Sequence, residues 1–405
     1  MPFEVPEGWC WTTLADISNY GECINVPVDK IPDSSWILEL EDIEKDSGRL
    51  IQRRIKSNKI INGVRHSFTK SNILYSKLRT YLNKVLIADQ DGYCTTEIIP
   101  ITCKKGIMPE YLCHVLRSSY YVGYTISLGY GVKMPRLGTT DALKSMIPVP
   151  PTSEQARIVS AIDKLSSTID ILEANQQDAL DIADRTKAKI LDLALTGKLV
   201  PQDPLDEPAT RLLTRINPLH KSCDNRHYEN VPKGWCFTKI KDIFIINPKN
   251  KANDYDMAGF VSMLMINEGY VDSYQYETRE WSSIKAGFTH FQDGDIAVAK
   301  ISPCLENRKS MILKGLPNGI GAGTTELHVF RSSIVDARYA LYFFKSDYFI
   351  AQCIGTFNGV VGQQRVGKSV IEDIVFPLPP LEEQRRIACT ISVIFKHLDN
   401  ILSEL

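Results

Sequence analysis

Between residues 153 and 195 the side chains repeat in alternating steps of four and three: Ile158, Ile162, Leu165, Ile169, Leu172, Gln176, Ala179, Ala183, Thr186, Ile190 and Leu193. All but Gln176 and Thr186 are apolar. Alternating four-three spacing is the heptad seam of a coiled coil, narrower than the buried face of an ordinary globular helix. No Pro or Gly interrupts the stretch, Ser153 stands at an N-cap position after Pro148-Val149-Pro150-Pro151, and Gly197 and Pro201 supply a stop. At 1.5 Å per residue a helix of about 45 residues is a rod of roughly 65 Å. A small domain cannot bury such a stripe, so the pattern predicts a partner helix. One is legible at the far end of the chain, where Ile387, Ile391, Ile394, Leu398, Ile401 and Leu405 follow the same spacing. The seam from Ala179 onward is expected to lack an in-chain mate, because this second helix is short.

The residues leading into the two helices agree as well. Pro148, Pro150, Pro151, Glu154, Gln155, Arg157, Ile158 and Ile162 match Pro377, Pro379, Pro380, Glu383, Gln384, Arg386, Ile387 and Ile391, each at an offset of 229. Near the start, Val5-Pro6-Glu7-Gly8-Trp9-Cys10 returns as Val231-Pro232-Lys233-Gly234-Trp235-Cys236. Over 5–17 against 231–243, eight of thirteen residues are identical at an offset of 226. Repeats govern how every later motif is read. Here they predict a duplicated plan of domain, helix, domain, helix, the drift from 226 to 229 being loop insertion.

Within each domain the pattern reads as mixed α/β (α+β) with short strands. Strands are expected at 35–40, 72–78, 84–88 and 97–102 in the first half, and at 260–266, 295–301 and 326–330 in the second. Helical spacing covers 111–121 and 337–348, and a short helix is expected at 209–216. The expected divisions are a domain at 1–151, a spacer helix at 152–200, a linker at 201–230, a second domain at 231–380 and a second helix at 381–405.

Composition changes this picture little. The 405 residues are 43% hydrophobic with a formal net charge of −1, so whole-chain charge does not point to a polyanion. Ten scattered cysteines with no CxxC pair suggest reduced cytosolic thiols rather than a disulfide framework or a metal site. Met1-Pro2-Phe3-Glu4 has neither a basic start nor an apolar run, so no leader is expected, and no stretch reads as a membrane span. Local charge is more telling. From 47 to 88 there are ten Lys and Arg residues and no acid: Arg49, Arg53, Arg54, Lys56, Lys59, Arg65, Lys70, Lys77, Arg79 and Lys84. Tyr75 and Tyr81 lie among the last of them. Such a run suits phosphate neutralisation, or equally a solvated face balanced by the acids of 39–46.

Gly362-Gln363-Gln364-Arg365-Val366-Gly367-Lys368-Ser369 fits the P-loop pattern. The repeat argues against a nucleotide site, because Lys133-Met134-Pro135-Arg136-Leu137-Gly138-Thr139-Thr140 occupies its place in the first half and keeps only Arg136 against Arg365 and Gly138 against Gly367. A loop presenting Gln363 and Arg365, the side-chain types that read adenine and guanine in a major groove, fits better. Lys77 matches Lys300 at an offset of 223. Thr95-Thr96-Glu97 matches Thr324-Thr325-Glu326 at 229 and reads as a shared fold element. The residues expected at a ligand-facing edge are therefore Tyr75, Lys77, Arg79, Tyr81, Lys133, Arg136, Lys300, Gln363, Arg365 and Lys368. No HExxH, GxSxG, Asn-Pro-Pro-Tyr or defensible catalytic triad is present, and none of the seven histidines recurs between the halves.

The paired Pro-Gly-Trp openings, the two Pro-x-Pro-Pro-x-x-Glu-Gln-x-Arg-Ile helix starts, the seam, and Leu195-Thr196-Gly197-Lys198-Leu199-Val200-Pro201 at its end resemble the specificity subunit of a type I restriction–modification system over essentially the whole chain. The resemblance implies two target-recognition domains separated by long helices that form an antiparallel coiled coil, with Ile158, Ile162, Leu165, Ile169 and Leu172 and Ile387, Ile391, Ile394, Leu398 and Ile401 as its seam. It implies binding to a bipartite site on double-stranded DNA. The implied partners are methyltransferase subunits and a restriction and translocase subunit, with S-adenosylmethionine, ATP and Mg on those partners and no cofactor or catalysis in this chain. A bacterial or archaeal cytoplasm is the implied location. The rival from the residues alone is a non-catalytic scaffold with two ligand-binding domains that does not read DNA.

Overall fold

The computed structural model describes residues 3–58, 61–128, 135–216, 231–355 and 364–405. The chain divides into two compact units, 1–173 and 174–405. In the first, Cys10–Thr13 pairs antiparallel with Met146–Val149, Cys10 facing Val149. In the second, Cys236–Lys239 pairs with Val375–Leu378, Cys236 facing Leu378. The two repeated motifs of each half are thus zipped together in one register, which is why both recur.

Each unit carries two further sheets. In the first, Asn25–Pro27, Val64–Phe68, Gly92–Cys94, Trp36–Leu38 and Arg54–Ile55 lie in that spatial order, and Val85–Ile87, Ile73–Ser76 and Ile98–Ile101 form a second sheet. In the second unit, Ile245–Ile246, Leu327–Arg331, Ile296–Ala299 and Ser310–Ile312 form one sheet, and Glu277–Glu280, Met257–Val261, Ile320–Gly323 and Thr289–Gln292 the other. The strand expected at 260–266 ends at Val261, because 263–265 turns into a single 3₁₀ turn.

The helices expected at 111–121 and 337–348 are each two helices. Pro109–Arg117 gives way to Ser119–Leu128, and Ala337–Phe344 to Asp347–Ile354. A serine makes each break. The Ser118 hydroxyl accepts from Tyr121 N at 3.3 Å and that of Ser346 from Phe349 N at 3.2 Å, so each side chain caps the helix that follows.

The central helix, Thr152–Leu195, is one uninterrupted run of 44 residues; Ser153, expected at the N-cap, lies inside its first turn, and the helix ends five residues before the expected boundary at 200. Its end is a Schellman turn. Gly197 adopts φ +69, and Lys198 N donates to Leu193 O at 2.8 Å. A side chain at Gly197 would also collide with the Pro232 ring.

The C-terminal helix, Leu381–Ser403, packs against the last turns of the central helix. Ile190, Leu191, Ala194 and Leu195 share one core with Ile387, Ala388, Ile391 and Phe395, flanked by Ile394 and Leu398. Lys187 Nζ lies 2.5 Å from Asp399 Oδ1, fixing an antiparallel register. This corrects the expected mating of the seam. The stretch from residue 187 onward has its in-chain partner, whereas Leu165, Ile169 and Leu172 are 65%, 54% and 61% exposed. Chain direction explains it. The second helix starts beside the segment where the first one ends, so running antiparallel it retraces 195 to 187. Ile401 stays 58% exposed at its far end, and Ile158 and Ile162 are half-buried against the first domain's side of the helix.

Candidate nucleic-acid interface

The sheet edge after Ser76 builds a corner from three separated segments. Lys77 N donates to Glu97 O at 3.0 Å, Leu137 N to Lys77 O at 2.9 Å, and Arg79 N to Pro135 O at 2.8 Å. These bonds set Leu78 across from Arg136 as an isolated bridge. The Arg136 guanidinium then grips Glu97 through two parallel bonds, Nε to Oε2 at 3.1 Å and the terminal nitrogen to Oε1 at 3.0 Å.

The second unit repeats the corner. Lys300 N donates to Glu326 O and Val366 N to Lys300 O, both at 2.9 Å, and Ile301 faces Arg365. Arg365 holds Glu326 at 2.8 and 2.9 Å. Hydrogen bonds from Arg365 keep the Glu326 carboxyl below the ordinary carboxylate range, and the same bonds raise the arginine. Glu97 and Glu326, read from sequence only as a shared fold element, are therefore the partners of the two repeated arginines. The signal was there, since glutamates and arginines share the offset of 229.

Lys77 and Lys300 form no salt bridge among the described residues, and each stands beside the paired arginine of its corner, the Lys300 charge helping to lower the Glu326 carboxyl. Such an edge offers a point charge for phosphate and a planar fork for a base edge. Tyr81 is 44% exposed on the short turn Thr80–Leu82 next to it. Arg79 supports the turn in a left-handed conformation, φ 52, which costs a residue with a side chain roughly 1 kcal/mol or more. Lys368 opens the six-residue helix Lys368–Asp373 and lies 3.4 Å from Glu372 one turn on. Lys133 and Gln363 fall outside the described residues. So short a helix, following an isolated bridge rather than a buried strand, is not the setting of a P-loop.

Two expectations need correction. Tyr75 is not at a ligand-facing edge. It is 3% exposed in the core, its ring against Tyr20 and Tyr121, and burial raises its phenol well above the ordinary range. Alternation along a strand shows that side chains take two faces, not which face is wet. The basic run is also largely spent internally. Arg54 bonds Asp42 at 2.6 Å and Glu41 at 3.0 Å, and Arg65 bonds Glu39 at 2.9 Å. Arg53 pairs with Asp89 at 2.5 Å and lies over the Trp36 ring. Lys56 meets Asp33 at 3.1 Å, Lys84 donates to Leu40 O at 2.7 Å, and Arg49 pairs with Asp170. The balanced-face alternative thus holds for Arg49, Arg53, Arg54, Lys56 and Arg65, with the acids of 39–42 as partners of Arg54 and Arg65 and more distant aspartates for the rest; Lys59 lies outside the described residues. Lys70, Lys77 and Arg79 remain outside salt bridges among the described residues.

Among the described residues no cluster of His, Cys, Asp or Glu is arranged to hold a metal ion, and no helix is long and apolar enough to cross a membrane. Burial pushes the thiols of Cys113 to about 11 and of Cys103 and Cys353 to about 12, far from nucleophilic.

The family model described as the type I restriction modification DNA specificity domain matches residues 49–181 and 232–405, most of the chain and once in each half. The chain belongs to the family of type I restriction–modification specificity subunits. It is 42% identical over 217 residues to the type I restriction enzyme EcoAI specificity subunit of Escherichia coli, 49% of this chain and 37% of that protein. To the EcoEI specificity subunit of the same organism it is 41% identical over 222 residues, again 37% of that protein. The chain therefore spans well under half the length of these relatives. Against the EcoKI specificity subunit of Escherichia coli strain K12 identity is 21% over 379 residues, 86% of this chain and 76% of that one.

Among solved structures, a chain from work on complex assembly and conformational transition of the type I R-M system aligns over 100% of this chain and 94% of its own, with a TM-score of 0.70 and 16% identity. The HsdS subunit from Thermoanaerobacter tengcongensis aligns over 100% and 93%, with a TM-score of 0.54 and 18% identity. At those identities the likeness is one of fold. It covers the duplicated domains and the long helix of this specificity subunit.

Proposed function

We propose that this specificity subunit reads a bipartite target on double-stranded DNA, one half-site per recognition domain, and serves as the docking frame for methyltransferase and restriction subunits. The observation that carries the reading is the duplicated Lys–Glu–Arg corner. It occurs once in each unit, and an uninterrupted 44-residue helix begins in the first and ends in the second. Phosphate contacts from Lys77 and Lys300 would set register, and Arg136 and Arg365 would meet base edges. Lys133, Gln363, Lys368, Arg79 and Tyr81 flank the two corners in sequence and complete the proposed interface. The chain itself does no chemistry in this reading. Methyl transfer with S-adenosylmethionine, and ATP- and Mg-dependent cleavage and translocation, belong to the partner subunits, in the cytoplasm.

Titration of the full chain with its methyltransferase partner into random-sequence duplex, at several salt concentrations, tests this. Lys77→Ala should weaken binding and shallow the slope of log affinity against log salt by roughly 0.9, the value of one lost phosphate contact. An unchanged slope would remove Lys77 from the interface. A wild-type chain that binds no duplex would favour the scaffold reading, to which the internal neutralisation of Arg53, Arg54 and Arg65 lends some weight.

A further inference from the structure

Each reading arginine is held by a carboxylate that is better anchored than the arginine itself. The Glu97 and Glu326 side chains are each 24% exposed, against 52% for Arg136 and 44% for Arg365. The glutamate backbones are fixed by the lysine N–H groups, and Glu326 N also donates to Thr324 Oγ1 at 3.2 Å. The glutamate is thus the more enclosed member of each pair and the arginine the more exposed one. A phosphate competing for the guanidinium would have to sit beside a retained carboxylate and be repelled by it. A guanine edge offers two acceptors without a formal charge and escapes that repulsion.

Resting on the DNA-reading proposal above, we infer that Glu97 and Glu326 are specificity-determining residues: each withholds its arginine from non-target phosphate and releases it to a base edge. The pair recurs at one offset in two units whose loops otherwise differ, and an exposed ion pair adds too little stability to account for a duplicated one.

The probes are a random-sequence 30-base-pair duplex and the duplex carrying the target found by methylation mapping, with the full chain and its methyltransferase partner. Glu97→Gln and Glu326→Gln should each bind the random duplex about threefold to fivefold more tightly. The salt dependence should steepen by roughly 0.9, and the ratio of target to random-duplex affinity should fall by about the same threefold to fivefold. The gain must also vanish in Glu97→Gln/Arg136→Ala, since a mere change in background charge would persist without the arginine. Random-duplex binding that is unchanged or weaker in both Gln variants, or a gain that survives loss of the arginine, overturns the inference while DNA binding stands. Absence of duplex binding by the wild type overturns the DNA-reading proposal and this inference together. The two glutamates lie in different units, so a folding defect in one variant leaves the other as the test.

Discussion

The two long helices start alike and differ in what covers them. At the first, the Gln155 carboxamide accepts from Met108 N at 2.9 Å and donates to Gly106 O at 3.0 Å and Pro150 O at 3.1 Å. At the second, Gln384 accepts from Asp336 N at 2.8 Å and donates to Pro379 O at 2.9 Å. Tyr111 and Tyr339 donate to the Pro148 and Pro377 carbonyls in the same way. These bonds fasten each domain to its helix, and both copies satisfy them. The neighbouring charged residues do not behave alike. Arg386 grips Asp206 at 3.2 and 2.6 Å, and Glu383 accepts from Gln202 at 2.7 Å, with burial raising its carboxyl. Among the described residues Arg157 reaches only the Ser153 carbonyl, at 3.5 Å. Glu154 forms no salt bridge among the described residues. The repeat therefore preserves two kinds of residue: those that join domain to helix, used twice, and those that join helix to its neighbour, used within the second unit.

The largest expected effect follows from that difference. Ile387→Ala, at a fully buried seam position, should cost about 2–5 kcal/mol in denaturant unfolding. Leu165→Ala and Ile169→Ala, at the equivalent seam of the exposed stretch, should each change stability by less than about 0.5 kcal/mol. Equal costs would mean that the exposed seam is covered in solution.

A second contrast lies inside the domains. His328 is 3% exposed, its Nε2 directed at Val366 O and its Nδ1 at Asn247, and burial holds the imidazole down at about 4. The position 229 residues earlier is Ile99, which has nothing to titrate. With the folded pKa below the unfolded one, the unfolded chain takes up the proton first. The second unit should then lose stability as pH falls from 6.5 to about 4, by up to roughly 3 kcal/mol. His328→Leu should flatten that part of the stability-against-pH curve, and a curve of unchanged steepness would show that the carboxylates alone are responsible.

Much of this was legible before any coordinates. Uninterrupted periodicity over 153–195 matched the central helix to within one residue, because nothing but Gly197 and the prolines competes with helix there. The repeat placed Arg136 against Arg365 and Glu97 against Glu326. What stayed hidden depended on partners distant in sequence. Tyr75 looked like an edge aromatic until Tyr20 and Tyr121 closed around it. Arg54 and Arg65 looked like a DNA patch until strand pairing brought Glu39, Glu41 and Asp42 beside them. Ser118 and Ser346 read as helix interior, because a capping serine and a solvent-facing one have the same spacing.

The central claim is that one continuous helix fixes the separation at which two recognition domains read DNA. Inserting four helix-forming residues after Gln176, which lies in the exposed part of the helix, adds about 6 Å. Methylation mapping in a host carrying that variant should show both half-sites unchanged and the unread gap longer by about one or two base pairs. A methylated target with the original gap would contradict the claim.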